Sequence, residues 1–184
     1  QAYDDALQSD PQLAQALTGK GIALAAQEKY DKAILAYDQA IRLDPQSAAT
    51  WGNKGIALYA LGKYDEAIQA YDEVIRLDPE FALAWNNKGL ALAAQGKYDN
   101  AVKAYDEAIR LYPEFALAWN NKGNALYAQE KYDEAIQAYD EALRLDPQLT
   151  QARTCKDLAH SFLMMKIQNR QKPEPTITVS LLPG

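Results

Sequence analysis

The chain has 184 residues, 48% apolar and 24% charged, and its net charge of −6 is uneven: residues 1–147 carry −9 and residues 148–184 carry +3. This composition is globular rather than disordered, and no run of about 18 apolar residues exists to cross a bilayer. The acidic body argues against nucleic acid as a partner, because phosphate binding needs a basic face, and a single cysteine, Cys155, excludes an internal disulfide.

Residues 1–13 read as the second helix of a truncated repeat, since AYDDALQSDP matches AYDEALRLDP at 138–147. A start in mid-repeat at Gln1 reads as a fragment of a longer protein. Four full units follow, over 14–47, 48–81, 82–115 and 116–149. Their phase is set by Trp51, Trp85 and Trp119, spaced by 34 residues. Gly21, Gly55, Gly89 and Gly123 keep that spacing, as do Tyr37, Tyr71, Tyr105 and Tyr139. Each unit predicts two helices; in the second unit these span roughly Ala48–Leu61 and Tyr64–Leu77. Gly62 ends the first, and Asp65 and Glu66 sit in the opening turn of the second, where the helix dipole favours anions. Pro79 disfavours helical geometry at Asp78 and ends the pair. Loops this short make the two helices antiparallel. After Pro147 the repeat decays. Residues 150–171 predict a helix that caps the last apolar face, with Phe162, Met164 and Met165 in excess of what one buried stripe needs. Residues 172–184 read as a flexible tail or the first strand of a missing domain, because Pro173 and Pro175 stop the helix and TITVSL alternates with period two.

A 34-residue unit with Trp51, Gly55, Ala67, Tyr71 and Pro79 in these places resembles the tetratricopeptide repeat, and the resemblance covers about 1–149. Leu17 replaces Trp in the first full unit, Lys20, Lys54, Lys88 and Lys122 stand where the pattern has Leu, and Leu24, Leu58, Leu92 and Leu126 stand where it has Tyr. The lysine variant is similar to arrays of bacterial or archaeal type. The resemblance implies an all-α, right-handed α-solenoid of stacked antiparallel helix pairs, closed by the capping helix. It also implies that Gly55, Gly89 and Gly123 face Ala67, Ala101 and Ala135, so that small residues let the helices approach closely.

On a helical wheel at 100° per residue, Trp85, Gly89 and Leu92 meet the second helix. Leu83, Asn86, Asn87 and Leu90 fall on the opposite arc, which lines the concave groove in the family fold. The fourth unit offers Leu117, Asn120, Asn121, Asn124 and Tyr127; the second offers Asn53, Ile56 and Tyr59; the first offers Thr18. Asn53, Asn87 and Asn121 thus form a ladder with one rung per unit. A side-chain amide both donates and accepts, so it can hold a peptide backbone of any sequence. The alternative is that the amides only solvate a polar face or bond between neighbouring helices. The arc has no Lys or Arg, whereas co-chaperone members of the family clamp a terminal carboxylate with cations. The lysines at 20, 54, 88 and 122 point away from the groove, their stems over apolar surface and their ammonium groups toward water or a carboxylate. The acids of the second helices read as a solvated outer face.

No catalytic chemistry is legible. His160 and Cys155 are too few ligands for a zinc site, a Cys–His pair lacks an orienting third group, and no phosphate-cradling loop or metal motif occurs. The expectation is therefore not an enzyme, with no catalytic residue, metal or cofactor. It is a protein–protein interaction scaffold or adaptor that holds a peptide or helix of a partner protein, extended or helical and not strongly acidic, with no nucleic acid and no membrane insertion. Two alternatives stand beside it: a structural module that self-associates through the cap helix or tail, and a regulatory domain of a larger protein whose catalytic part lies elsewhere. A cytoplasmic location is expected.

Overall fold

The computed structural model describes residues 11–170. Most of the half-repeat expected over 1–13 and all of the tail expected over 172–184 lie outside those residues. The helices in chain order are α1 (Pro11–Ala26), α2 (Tyr30–Leu43), α3 (Ala48–Ala60), α4 (Tyr64–Leu77), α5 (Ala82–Ala94), α6 (Tyr98–Leu111), α7 (Ala116–Ala128), α8 (Tyr132–Leu145) and α9 (Thr150–Arg170). No strand occurs among the described residues. In the second unit α3 and α4 fall where the sequence placed a helix pair over roughly Ala48–Leu61 and Tyr64–Leu77, and α9 falls within the expected cap helix. Helix α1 has Pro11 as its first residue, a position proline tolerates because its missing N–H has no partner to lose there.

The second helices form for reasons visible in each copy. In α4 the buried residues Ala67, Ala70, Tyr71 and Val74 recur at the spacing of one helical face, with Asp65 and Glu66 in the first turn and Arg76 in the last. The turn from first to second helix needs a residue in the left-handed region. Gly62 and Gly96 supply it at φ 74° and 73°, and the backbone N–H groups of Lys63 and Lys97 reach back to Leu58 and Leu92 at 2.9 and 3.0 Å. In the other two units Glu28 and Glu130 take the same conformation, both at φ 58°.

Each first helix packs on its own second helix, and each second helix packs on the next first helix. The first helices also pack on one another, α1 on α3 through to α7 on α9, and no pair of second helices does so to the same degree. The stack therefore bends with its first helices on the inside. Within a unit, a Cβ built on Gly55 would lie 2.6 Å from Tyr71 Cε1, and one on Gly89 would lie 2.5 Å from Tyr105 Cε1. The glycines make room for a tyrosine ring, not primarily for the alanines expected to face them. The rings of Tyr37, Tyr71, Tyr105 and Tyr139 are buried there.

Neighbouring units share a second joint. Lys54, Lys88, Lys122 and Lys156 pair with Asp38, Asp72, Asp106 and Asp140 of the preceding second helix at 2.7, 2.6, 2.7 and 2.5 Å. The first three ammonium groups also lie over Trp51, Trp85 and Trp119, 5.2–5.4 Å from the ring centres. Those indoles donate to the carbonyls of Pro45, Pro79 and Pro113.

Helix α9 keeps this pattern while ending the array. Ala152 and Ala159 are fully buried at the places of Ala118 and Ala125. Arg153 stands where tryptophan would, and its Nη2 donates to the carbonyl of Pro147 at 2.8 Å. Asp157 and His160 take the glycine and leucine places that face a second helix in the full units. Both are exposed, so at these two places α9 presents polar side chains where a full unit presents the glycine and leucine that meet a second helix.

Candidate functional site

The inner surface is built from α1, α3, α5 and α7. Its asparagines do not behave alike. Asn86 and Asn120, placed by the wheel on the open arc, are buried between first helices at 4% and 1% exposure. The bend brings those helices close enough to cover that part of the arc. Asn86 Nδ2 donates to Asn87 Oδ1 at 3.3 Å, and Asn120 Nδ2 donates to Asn121 Oδ1 at 3.4 Å. Asn121 Nδ2 crosses to the preceding unit and donates to Asn86 Oδ1 at 3.0 Å. Both ends of the Asn121 amide are therefore engaged within the protein. Asn124 accepts from the Tyr139 phenol at 2.8 Å. Asn120 Oδ1 is buried without a donor, because Cys155 stands where the next unit would present an asparagine.

Asn53 and Asn87 differ from these. No hydrogen bond of the described residues engages the Asn53 side chain, and Asn87 uses only its oxygen. The acceptor that Asn87 Nδ2 would meet in the preceding unit is absent, since Gly52 stands at the place of Asn86. A cleft of about 190 Å³ opens there, walled by Asn53, Ile56, Leu83 and Asn87 with Tyr71 and Val74 beneath and Phe81 at its edge. A second cleft of about 190 Å³ lies one unit on, between Tyr59, Leu90, Asn121 and Asn124. Neither has a lysine or arginine in its wall.

The apolar residues of the arc range from open to partly covered. Ile56, Leu83 and Leu117 are 52%, 44% and 51% exposed, while Leu90, Tyr59 and Tyr127 are half-buried. Tyr59 packs against Tyr64, and Tyr127 sits among Tyr132 and Phe162. Thr18, expected in the groove, is engaged with the Ala14 carbonyl at 3.0 Å and Thr50 Oγ1 at 2.9 Å. Thr50 is a buried polar residue that the sequence reading did not single out; its signal was a hydroxyl where the later units have alanine.

Burial pushes the phenols of Tyr37, Tyr71, Tyr105 and Tyr139 above the usual tyrosine range. For Tyr139 the nearby Cys155 thiol adds to the effect. On α9, Leu158, Phe162, Met164, Met165 and Ile167 remain exposed, although the Phe162 ring stacks on Tyr132 with centroids 5.9 Å apart. Among the described residues there is no group of three or more side chains of the kind that holds a metal, and no helix is long and apolar enough to cross a membrane.

Two family models, both of tetratricopeptide repeats, match residues 21–62 and, in two overlapping stretches, 53–114 and 93–150. Among curated proteins there is no match. Among solved structures, the crystal structure of MamA protein superposes with a TM-score of 0.72 at 21% identity, over 94% of this chain and 99% of that one. The first TPR of Spaghetti (RPAP3), bound to the HSP90 peptide SRMEEVD, superposes at 0.63 with 28% identity over 66% of this chain and 96% of that one. The Sgt2 TPR domain from Aspergillus fumigatus superposes at 0.66 with 18% identity over 73% and 90%.

Proposed function

The chain belongs to the tetratricopeptide repeat family, and from that premise we propose an adaptor whose concave face holds an extended or helical segment of a partner protein. The observation that carries this is the pair of side-chain amides with unused hydrogen-bonding capacity, Asn53 and Asn87, set beside the exposed Ile56 and Leu83. Amides of this kind pair with a peptide backbone whatever its side chains, and a preformed surface lowers the ordering cost of binding. The neighbour that holds SRMEEVD carries an acidic peptide. Here the clefts have no cation in their walls, so the favoured segment is not strongly acidic. The test is quantitative capture from native lysate by the wild-type chain and by a variant with both Asn53→Ala and Asn87→Ala. The reading fails if the variant, still helical, retains the same proteins in the same amounts.

A second reading, self-association through α9, is favoured by its exposed Leu158, Phe162, Met164, Met165 and Ile167. Sedimentation velocity over a wide concentration range tests it: a strict monomer throughout rules it out.

A further inference from the structure

Repeat arrays are informative where one copy lacks what the others have. At the place of Asn86 and Asn120 the second unit has Gly52. In the third and fourth units that place is filled by an amide, and in the third the amide accepts from Asn121 of the following unit. In the second unit both are missing at once. There is no side chain to fill the space, and Asn87 Nδ2 is left without its internal acceptor. A Cβ on Gly52 would meet only Val74 Cγ2, at 3.8 Å, so the glycine is not forced by crowding. The unit folds with room for a larger residue, and the room is open to the groove.

We infer that the Gly52 cleft is an anchor pocket for one branched aliphatic side chain of a partner segment that carries lysine or arginine on either side of it; this rests on the adaptor reading above. The aliphatic preference follows from Val74 at the floor and Ile56 and Leu83 as walls. Asn87 Nδ2 is placed to donate to the segment's backbone carbonyl, the role Asn86 Oδ1 takes up for Asn121. The basic flanks follow from the edge of the cleft. The loop before α3, which runs into the lining residue Ala48, carries Asp44, and the loop before α5 carries Asp78 and Glu80, the latter next to the lining residue Phe81. None of the three makes an ion pair among the described residues. Against them stands Arg42 at the end of α2, while Arg76 is held by Glu73 on its own helix. The edge is therefore net acidic, and an acidic segment would be repelled where a basic one is drawn in.

The experiment uses nitrogen-15 NMR of the full chain with blocked hexapeptides in an alanine background. One has leucine between two lysines, one has leucine between two glutamates, and one has alanine between two lysines. The first is expected to shift the side-chain amide signals of Asn53 and Asn87, and to bind more weakly as salt is added. The other two should bind at least about tenfold more weakly. Gly52→Asn restores the pattern of the later units and should reduce binding of the first peptide by about tenfold or more. Leu83→Ala, at an exposed position, should do the same in part. Equal binding of the glutamate peptide, or wild-type binding by both helical variants, overturns the inference, as does a lysine–leucine peptide that shifts no resonance. Shifts confined to Asn121, Asn124 and Tyr59 overturn the Gly52 pocket but leave the concave-face reading standing. Shifts confined to the second helices overturn both.

Discussion

Asn121 Nδ2 donates to Asn86 Oδ1 across the joint between the third and fourth units, at 3.0 Å. Asn86 lies 4% exposed, so its oxygen has no ready substitute donor. Asn121→Ala is expected to destabilise the chain by about 1–3 kcal/mol, the usual cost of a buried polar atom left unpaired. Asn53→Ala breaks no hydrogen bond and should change stability by less than about 0.5 kcal/mol. Urea unfolding of the two variants checks the contrast. Equal losses would mean that the rungs are equivalent and that Asn121 is not set apart by its bond.

The glycine–tyrosine joint predicts a coupled pair. In Gly89→Ala the new methyl would sit 2.5 Å from Tyr105 Cε1, and overpacking of this kind costs about 1–3 kcal/mol. Tyr105→Leu alone leaves a cavity. Combined, the two changes relieve each other, so the double variant should be clearly more stable than the sum of the single losses implies. Strict additivity in chemical unfolding would refute the contact.

Glu28 holds a left-handed turn at φ 58° where the second and third units use Gly62 and Gly96. A side chain in that region costs about 1–2 kcal/mol. Glu28→Gly should therefore raise stability by roughly 1 kcal/mol, less whatever the freer unfolded chain gives back. Thermal unfolding followed by circular dichroism reads this as a higher midpoint; an unchanged or lower one contradicts it.

The buried phenols predict alkaline sensitivity. Tyr71, Tyr105 and Tyr139 are raised above their ordinary value by burial. The folded form thus holds these protons more tightly than the unfolded chain does. Below about pH 10 both forms are protonated and the groups contribute no slope. Above it the unfolded chain loses protons first, so stability falls as pH rises. Absorbance at the phenolate band should show the phenolates of Tyr71, Tyr105 and Tyr139 appearing only on unfolding. Tyr105→Phe should flatten the slope above pH 10, and an unaltered slope would contradict the assignment.

The fold class was legible because a period shows itself. Any one copy of Trp, Gly, Ala, Tyr and Pro is a weak signal, but the same order at constant spacing leaves little freedom. The groove was less legible, and Asn86 shows why. A wheel gives the direction of a side chain from its own helix axis. It does not tell how far the next helix leans over it, and at Asn86 and Asn120 the lean decides burial. The hydrogen bond of Thr18 was hidden for the same reason, since its partner Thr50 lies on the neighbouring first helix. The role of Tyr105 under Gly89 was hidden differently. Spacing identifies two residues that recur together, and only coordinates tell which of several recurring residues fills the gap. Gly52 lies at the place of Asn86 and Asn120 in the sequence, but only the Asn121–Asn86 hydrogen bond shows that the missing side chain also frees Asn87.

Lys156 meets Asp140 just as Lys54 meets Asp38, and Arg153 reaches Pro147 as Trp51 reaches Pro45. The closing helix therefore accepts the same coupling that every earlier unit accepts from its predecessor. Nothing in that coupling records how many units came before. A further copy of 34 residues spliced ahead of Thr150 would find matching contacts at both of its ends, so the length of this array is a variable that duplication can adjust, much as one adjusts a ruler by adding divisions.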